Sequence, residues 1–458
     1  MNPNLVWEIR SFIKRQPLKT IGILLAAWIF LACLNGLLHF LDPGLDTAIW
    51  FPISIFFGPA FHLSGLPYAI LFLGVLYLAF KLLPHLNQFT SWLLGLLFIL
   101  LGNLAQGNFD IAFRQPFYLS GTQYYSDALK ISSWRAWLEA FNNQQASLFV
   151  HSRTHPPFAV LLHYLLIRLS GNNLAVLAGV FILISSLSIP LLGLILGELG
   201  IDRVQRNRLV LLFSLLPAIN IYTAVSLDGL ILTTCTLFLL GLVMLLRRQK
   251  FSLAGAFLIF AGLTLTNLLT FGGLFLVAVG LGLGTLDLLL NRKTSLLLTS
   301  LASVVLLVAG AFILNSTFHY NHLQAFLTSS RIENPDGFRL LTQPLEYLMS
   351  RIEGISEIGL FLSIGCLAAL FQKDRIKTIT GGIRIDTAWG IALTGLVIVA
   401  GMFLIGMFRT GETARTCLFI YPYLVLIFYK DDPGLLGDLT IIAALQTIIM
   451  QLCGNYYW

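Results

Sequence analysis

The stretch LLPAINIYTAVSLDGLILTTCTLFLLGLVMLLRR, residues 215–248, decides the fold class of this 458-residue chain. It contains an apolar run over 226–246 that ends at two arginines, Arg247 and Arg248. About 20 apolar residues are enough for a helix to cross a bilayer, and a helix satisfies its own backbone groups there. The stretch therefore predicts a membrane-spanning helix whose basic end lies in the cytoplasm.

Similar apolar runs recur along the whole chain. The sequence is 57% hydrophobic and 11% charged, whereas about 25% of the residues of a soluble domain are charged. We predict an all-α, polytopic membrane protein of about thirteen transmembrane helices. The predicted spans are 19–40, 65–83, 88–106, 173–199, 209–224, 226–246, 252–270, 272–290, 294–315, 355–371, 386–407, 415–429 and 434–453.

The short loops predict the topology. The net charge of +7 comes from Lys and Arg in these loops, where they set orientation, so it does not indicate nucleic-acid binding. A cytoplasmic N-terminus fits the span count if 156–170 is a juxtamembrane helix that does not cross the membrane. We find no cleavable signal peptide. The count then places on the outer face the segment 107–170, the turn near Asp228, and the loops 316–354 and 408–414.

The segment 107–155 is a polar island in an otherwise apolar sequence. Charges that lie against a bilayer are costly, so the place where they collect is the default functional site. Asp110 and Asp127 are candidate general bases here, and Tyr124 and Tyr125 are placed to orient a sugar. The structural alternative is that each Asp caps a helix or faces water.

The string HSRTHPP, residues 151–157, is the most specific motif. His-Pro-Pro predicts a rigid entry into the helix 156–170, because proline in the first turn costs no hydrogen bond. We expect His151, Arg153 and His155 to alternate along an extended segment and to bind a phosphate, with Arg153 forming a bidentate pair. No third ligand at a recognised spacing accompanies the histidines, so no metal site is assigned, and a divalent cation (Mg²⁺ or Mn²⁺) stays an open alternative.

Two further segments carry candidate residues. Asp228 lies at an outer turn, where a carboxylate needs a partner unless it caps the next helix. The loop 316–354 contains Arg331 and is long enough to act as a lid, although an ordinary solvated connection explains it equally well.

The order of these features resembles the GT-C superfamily of polytopic glycosyltransferases, which includes protein O-mannosyltransferases and lipid A aminoarabinose transferases. The resemblance rests on the outer-loop acidic residues, on His155-Pro156-Pro157, on the acidic turn at Asp228, and on RTGETARTCLFIYPYL at 409–424. That last string is similar to a Gly-Glu-x-x-Arg segment and gives Glu412 and Arg415. The similarity covers 88–453, and 1–87 looks like an added pair of spans.

The resemblance implies an inverting transfer of a sugar from a polyprenyl phosphate on the outer face. The sequence departs from the family at Thr122-Gln123-Tyr124-Tyr125, where many members have an Asp-Glu pair before a tyrosine. The base therefore stays open between Asp127, which we favour, and Asp110. The donor phosphate is assigned to Arg153, His151, His155, Arg331 and Arg409. Substrate binding is assigned to Tyr124, Tyr125, Asp228, Tyr222, Glu412 and Arg415.

The acceptor is expected to be membrane-embedded or lipid-linked, because the sequence carries no soluble domain to recruit a folded protein. Two other classes fit part of the pattern. A lipid or glycan transporter should place charged residues or broken helices near the bilayer midplane. A non-catalytic subunit of a glycan-assembly complex would bind the donor without turnover.

Overall fold

The computed structural model describes residues 18–41, 61–119, 123–248, 250–371, 387–408 and 412–454. Every regular element in these ranges is helical. The N-terminal half contains the helices α1 (Leu18–Leu41), α2 (Leu66–Leu82), α3 (Gln88–Leu104), α4 (Gln115–Tyr118), α5 (Tyr124–Ala128), α6 (Trp134–Gln144), α7 (Val150–Arg153), α8 (Pro157–Ser170), α9 (Leu174–Ser186), α10 (Ser188–Glu198), α11 (Arg203–Leu215) and α12 (Pro217–Tyr222).

The second half continues the bundle. It contains α13 (Leu227–Arg247), α14 (Leu253–Leu269), α15 (Leu274–Asn291), α16 (Ser295–Phe318), α17 (His322–Glu333), α18 (Arg339–Thr342), α19 (Pro344–Phe361), α20 (Ile364–Leu370), α21 (Ala388–Leu404), α22 (Thr413–Thr416), α23 (Tyr421–Leu426) and α24 (Pro433–Cys453). A π-helical turn over Asp110–Arg114 precedes α4.

Six helical stretches of the described chain are long and apolar enough to cross a membrane, and a bent pair formed by α19 and α20 brings the number to seven. These stretches correspond to the predicted spans 65–83, 173–199, 226–246, 272–290, 294–315 and 434–453, and the bent pair to 355–371. Other predicted spans are shorter helices; 209–224, for example, is broken where Pro217 forces Leu216 into an extended conformation. The all-helical class is confirmed, and the count of thirteen spans stays a prediction, as do the orientation and the division at residue 87.

The helix α13 lies at the centre of the bundle. Of the residues in its apolar window, 94% are buried, and it packs against α9, α10, α14, α15 and α16. Its approach to α14 is close: a Cβ at Gly262 would lie 2.6 Å from the backbone nitrogen of Phe238. Small residues at such contacts allow two helix backbones to pack directly, which favours association within a membrane.

The polar island folds as a set of short helices and binds the segment 316–354. Asn142 exchanges two hydrogen bonds with the backbone of Asn321. Gln145 donates to the carbonyl of Ala325 at 2.9 Å, and Ser329 donates to the carbonyl of Thr154 at 3.0 Å. The stretch 321–329 of this segment is therefore docked on the island, and whether the segment 316–354 moves as a lid stays a prediction.

The HSRTHPP motif carried two conformational predictions, of which the structure confirms one and contradicts the other. The helix α8 begins at Pro157 with proline in its first turn, as predicted. The extended segment over 151–155 is wrong, because Val150–Arg153 forms a helical turn. The Thr154 hydroxyl donates to the Val150 carbonyl at 3.1 Å. Proline restricts only the residue directly before it, so local hydrogen bonds decide the conformation further upstream.

Candidate functional site

A narrow polar cavity of about 40 Å³ lies where the island meets the start of α13 and the segment around α22. Such a volume holds only a few water molecules. The cavity is lined by Pro116, Phe117, Gln123, Tyr124, His151, His155, His163, Phe181, Val225, Ser226, Leu227, Asp228, Arg415 and Thr416. Five residues predicted from the sequence thus meet here, although they are spread from position 124 to position 415.

Arg415 is held between two carboxylates. Its Nε lies 3.5 Å from Asp228 Oδ2, and its Nη2 donates to Glu412 Oε2. The side chain of Arg415 is 7% exposed, while those of Asp228 and Glu412 are 18% and 32% exposed. One guanidinium and two carboxylates leave a formal charge of −1 on the trio. An arginine at this depth is stable only because it is paired.

Local structure explains how these charged residues meet. Ser226 is the N-cap of α13 and accepts a hydrogen bond from Gly229 at 3.1 Å, so Asp228 does not cap the helix. Asp228 lies in the first turn, where the helix dipole favours a carboxylate. Glu412 adopts a positive φ of 54°, and this turn leads into α22, which carries Arg415.

Three histidines surround the ring of Tyr124. The ring centroids of His151, His155 and His163 lie 5.9, 5.3 and 5.4 Å from that of Tyr124. Burial, followed by the charge of Arg415, lowers the pKa of His151 to about 3. Burial also lowers the pKa of His155 to about 4. Both imidazoles are therefore neutral at pH 7 and act as hydrogen-bonding groups rather than as cations.

The two carboxylates favoured as bases do not line this cavity. Asp127 is 1% exposed; it accepts from the Phe149 amide at 2.9 Å and pairs with Lys130 at 3.0 Å. Asp110 is 44% exposed and lies 3.5 Å from Arg114. Tyr124 and Asp127 both lie on the short helix α5, but the two side chains contact different neighbours.

The remaining predicted residues that the structure describes are not among the lining residues, although Tyr222 is close enough to interact electrostatically with Arg415. The Tyr125 hydroxyl donates to Asn172 Oδ1 at 2.7 Å, and Tyr222 stacks on Phe361 with a centroid separation of 5.1 Å. Arg153 has a buried Nε without a hydrogen-bond partner but is not among the lining residues. Arg331 is exposed on α17. Arg409 lies outside the described residues.

A second cluster lies on α19, beside the turn that carries Arg415. Glu357 accepts from the backbone amide of Thr413 at 3.0 Å. Arg351 donates to the carbonyl of Phe403 at 3.2 Å and also to those of Met407 and Phe408. Glu353, on the same helix, is 2% exposed. Arg351 therefore binds the chain before the turn at Glu412, and Glu357 binds it after that turn.

An apolar groove of about 390 Å³ runs between α19 and α21. Arg351 is the charged residue of its lining, which otherwise consists of Ile355, Ile358, Leu396, Val399, Ala400, Phe403, Leu404 and Ile420. The segment 412–420 contributes Arg415 and Thr416 to the polar cavity and Ile420 to this groove. A polar cavity and an apolar groove therefore lie on one connected segment.

Sequence reasoning missed Gln123, His163 and Thr416 as lining residues. No spacing rule links His163 to His155, because His155 lies before α8 and outside its helical periodicity. In the described part of the chain, no group of three or more His, Cys, Asp or Glu side chains could hold a metal ion. Whether a divalent cation takes part is not tested by this structure and stays open.

In comparisons with known proteins, no family model, curated protein or solved structure matches this chain.

Proposed function

We propose that this protein is an integral-membrane glycosyltransferase that moves a sugar from a polyprenyl phosphate to a hydroxyl of a membrane-embedded or lipid-linked acceptor, with inversion. The observation that carries the proposal is the polar cavity that gathers Tyr124, His151, His155, Asp228 and Arg415 next to an apolar groove. A lipid-linked sugar has the same two parts, a polar head and an apolar chain. Aromatic and hydrogen-bonding side chains in a buried pocket suit the head.

The groove between α19 and α21 fits an isoprenoid chain. Apart from Arg351, its lining residues are apolar, and each buried methylene contributes about 0.8 kcal/mol to binding. Arg351 supplies a guanidinium at this groove, and the backbone carbonyls of Phe403, Met407 and Phe408 orient it. The polar cavity of about 40 Å³ must widen to admit a sugar.

The reaction needs two functions from the protein. As the acceptor oxygen bonds to the anomeric carbon, the bond to the phosphate oxygen breaks and the phosphate leaves with the electron pair. Arg415 stabilises this developing charge if the departing phosphate takes the place of one of its two carboxylate partners, and such electrostatic terms are usually the largest in catalysis. The proton of the acceptor hydroxyl must pass to a group in the cavity.

Reconstitution tests the proposal directly. The full chain in lipid nanodiscs is incubated with radiolabelled polyprenyl-phosphate sugars and membrane lipid acceptors, and transfer of label to lipid is measured. We expect turnover in the wild type and its loss in Arg415→Ala. The matched control is Arg248→Ala, which removes an arginine paired with Glu198 and lying outside the cavity lining. Donor binding without turnover in the wild type would favour a non-catalytic subunit.

One observation favours a transporter as the second candidate. The pair α19 and α20 is bent by 108°, and α19 carries the buried carboxylates of Glu353 and Glu357. Broken helices with buried charges are typical of transporter sites. Flux of a labelled lipid-linked sugar across proteoliposomes, without chemical transfer, would support this alternative.

A further inference from the structure

Two histidines of the cavity have their tautomers fixed by backbone carbonyls. His155 Nδ1 lies 3.0 Å from the carbonyl oxygen of His151, and His163 Nδ1 lies 2.8 Å from that of Ala159. A carbonyl oxygen can only accept, so each Nδ1 carries the proton. The Nε2 of each ring is therefore an unprotonated acceptor.

The other acceptors of the cavity have protein partners, which do not use all the lone pairs of the carboxylates. Asp228 and Glu412 both pair with Arg415. The Ser226 hydroxyl donates to the carbonyl of Tyr222 and accepts from the amide of Gly229. Among the described residues, no hydrogen-bond partner is found for Nε2 of His155 or His163. The imidazole nitrogens are thus acceptors left for a ligand, and Asp228, which contacts Arg415 through Oδ2 at 3.5 Å, keeps its second oxygen as the alternative acceptor.

The cavity also contains an unused donor. Gln123 is 7% exposed, and its buried Nε2 has no hydrogen-bond partner. A buried polar group without a partner costs about 1–3 kcal/mol, so this amide is a site that a ligand oxygen would satisfy. One donor beside two lone pairs matches a hydroxyl group, which both donates and accepts.

We propose that the cavity binds the acceptor hydroxyl through Gln123 and His155, and that His155 Nε2 takes its proton during transfer; this rests on the proposed glycosyltransferase function. The hydroxyl oxygen accepts from Gln123 Nε2 and donates to His155 Nε2. When this oxygen bonds to the anomeric carbon, its proton passes to His155 and the phosphate leaves with the electron pair of the broken bond. The ligand class is an alcohol, such as a sugar hydroxyl on a lipid carrier.

The two histidines have different roles in this arrangement. His163 is 4% exposed, stacks on Tyr124 at an interplanar angle of 26°, and lies 5.0 Å from the ring of Phe181. His155 precedes α8 and meets the Tyr124 ring edge-on at 84°. His163 is therefore a positioning residue that orients Tyr124 and the bound hydroxyl, and His155 is the proton acceptor.

Substituting His155 by Asn or by Gln tests the roles of its two ring nitrogens separately. Asn places its amide where Nδ1 lies, so His155→Asn keeps the bond to the His151 carbonyl and loses the Nε2 acceptor. Gln reaches the Nε2 position, so His155→Gln keeps an acceptor that cannot take a proton. We expect kcat to fall by about 10²–10⁴ in both variants, the usual cost of losing a general base. The KM for the acceptor should rise in His155→Asn and stay close to wild type in His155→Gln.

The controls isolate the proton-transfer role. His163→Asn should raise the KM for the acceptor and change kcat by less than tenfold. His85→Asn, at an exposed position before α3, should leave both parameters unchanged. If the wild type turns over and both His155 variants keep wild-type kcat, His155 is not the base, while the glycosyltransferase function stands.

A measurement independent of activity completes the test. Nitrogen-15 NMR of histidine-labelled full-length protein in nanodiscs reports which ring nitrogen carries the proton, and the His155→Asn and His163→Asn variants assign the signals. We expect the Nδ1-protonated form for both residues, and a shift of the His155 Nε2 signal when an alcohol acceptor is added. The Nε2-protonated form of His155 would overturn the inference even if the wild type showed no turnover.

Discussion

Asp127, which is buried, and Asp228, which is half-buried, each pair with a cation, yet their surroundings differ in kind. Asp127 pairs with Lys130 from the next turn of its own segment and accepts from the Phe149 amide. Asp228 pairs with Arg415, a residue 187 positions away in the chain (415 − 228). The contacts of Asp127 stabilise the backbone of the polar island itself. The pair of Asp228 and Arg415 instead joins two segments that are distant in sequence, at a cavity. A carboxylate whose bonds are all satisfied locally is better suited to structure than to chemistry.

The largest effect is expected for the long-range pair. Arg415→Ala leaves Asp228 and Glu412 without their cation, and breaking a buried pair in this way costs about 3–5 kcal/mol. We also expect transfer to fall by about 10²–10³, the usual cost of losing one electrostatic contact to a transition state. Thermal unfolding in detergent and the nanodisc transfer assay measure the two effects. Arg248→Ala, an exposed pair with Glu198, should cost at most about 1 kcal/mol.

The cavity should also be the acid-sensitive region. The pKa values of His151 and His155 lie near 3 and 4 in the folded protein, against an ordinary value of 6.5. Between pH 6.5 and 4 the unfolded chain therefore binds more protons at these two histidines, and their contribution to stability falls as the pH falls. The slope is at most about 1.4 kcal/mol per histidine per pH unit. The unfolding temperature should drop across this window in the wild type and less in the double variant His151→Asn, His155→Asn; equal slopes would contradict the assignment.

A smaller effect is expected at the local pair. Asp127→Ala leaves the Phe149 amide without its acceptor and should lower stability by about 1–3 kcal/mol. Asp127→Asn keeps an acceptor oxygen and should cost less, with transfer largely preserved. Loss of transfer in Asp127→Asn at an unchanged unfolding temperature would instead make Asp127 the base predicted from the sequence.

The smallest effect is expected at the contact between α19 and the cavity. Glu357 holds the Thr413 amide at 3.0 Å, next to the turn that presents Arg415. Glu357→Gln keeps an acceptor there and should leave kcat within about twofold, whereas Glu357→Ala should lower kcat by roughly tenfold, equivalent to about 1.4 kcal/mol in the barrier. Equal kcat in both variants would show that the turn holds its shape without this contact.

Several features of the fold follow from the sequence alone. The apolar run over 226–246 forms one long helix, and Pro157 begins another, because hydrophobic length and proline stereochemistry act locally. The turn near Asp228 and the loop 408–414 are predicted to share one face of the membrane, and Asp228, Glu412 and Arg415 do meet. Local rules and loop charges are enough for predictions of this kind.

Side-chain direction within the short helices could not be predicted. Tyr124 and Asp127 lie on the same five-residue helix α5, yet one lines the cavity and the other binds the Phe149 amide. These two residues are three positions apart on a helix of only five residues. Tertiary packing therefore decides which neighbour each side chain contacts. The roles of Gln123 and His163 depend in the same way on partners that are distant in sequence.

The cavity volume of about 40 Å³ has a consequence for hydrolysis, the reaction of a glycosyl donor with water. Water is itself an alcohol-like nucleophile, and a site that holds bulk water would hydrolyse its donor instead of transferring the sugar. Under the proposed function, a cavity with room for only a few molecules of water would keep the competing nucleophile scarce until the acceptor widens it. Variants that enlarge the cavity, such as Phe117→Ala, would then convert a transferase into a slow hydrolase.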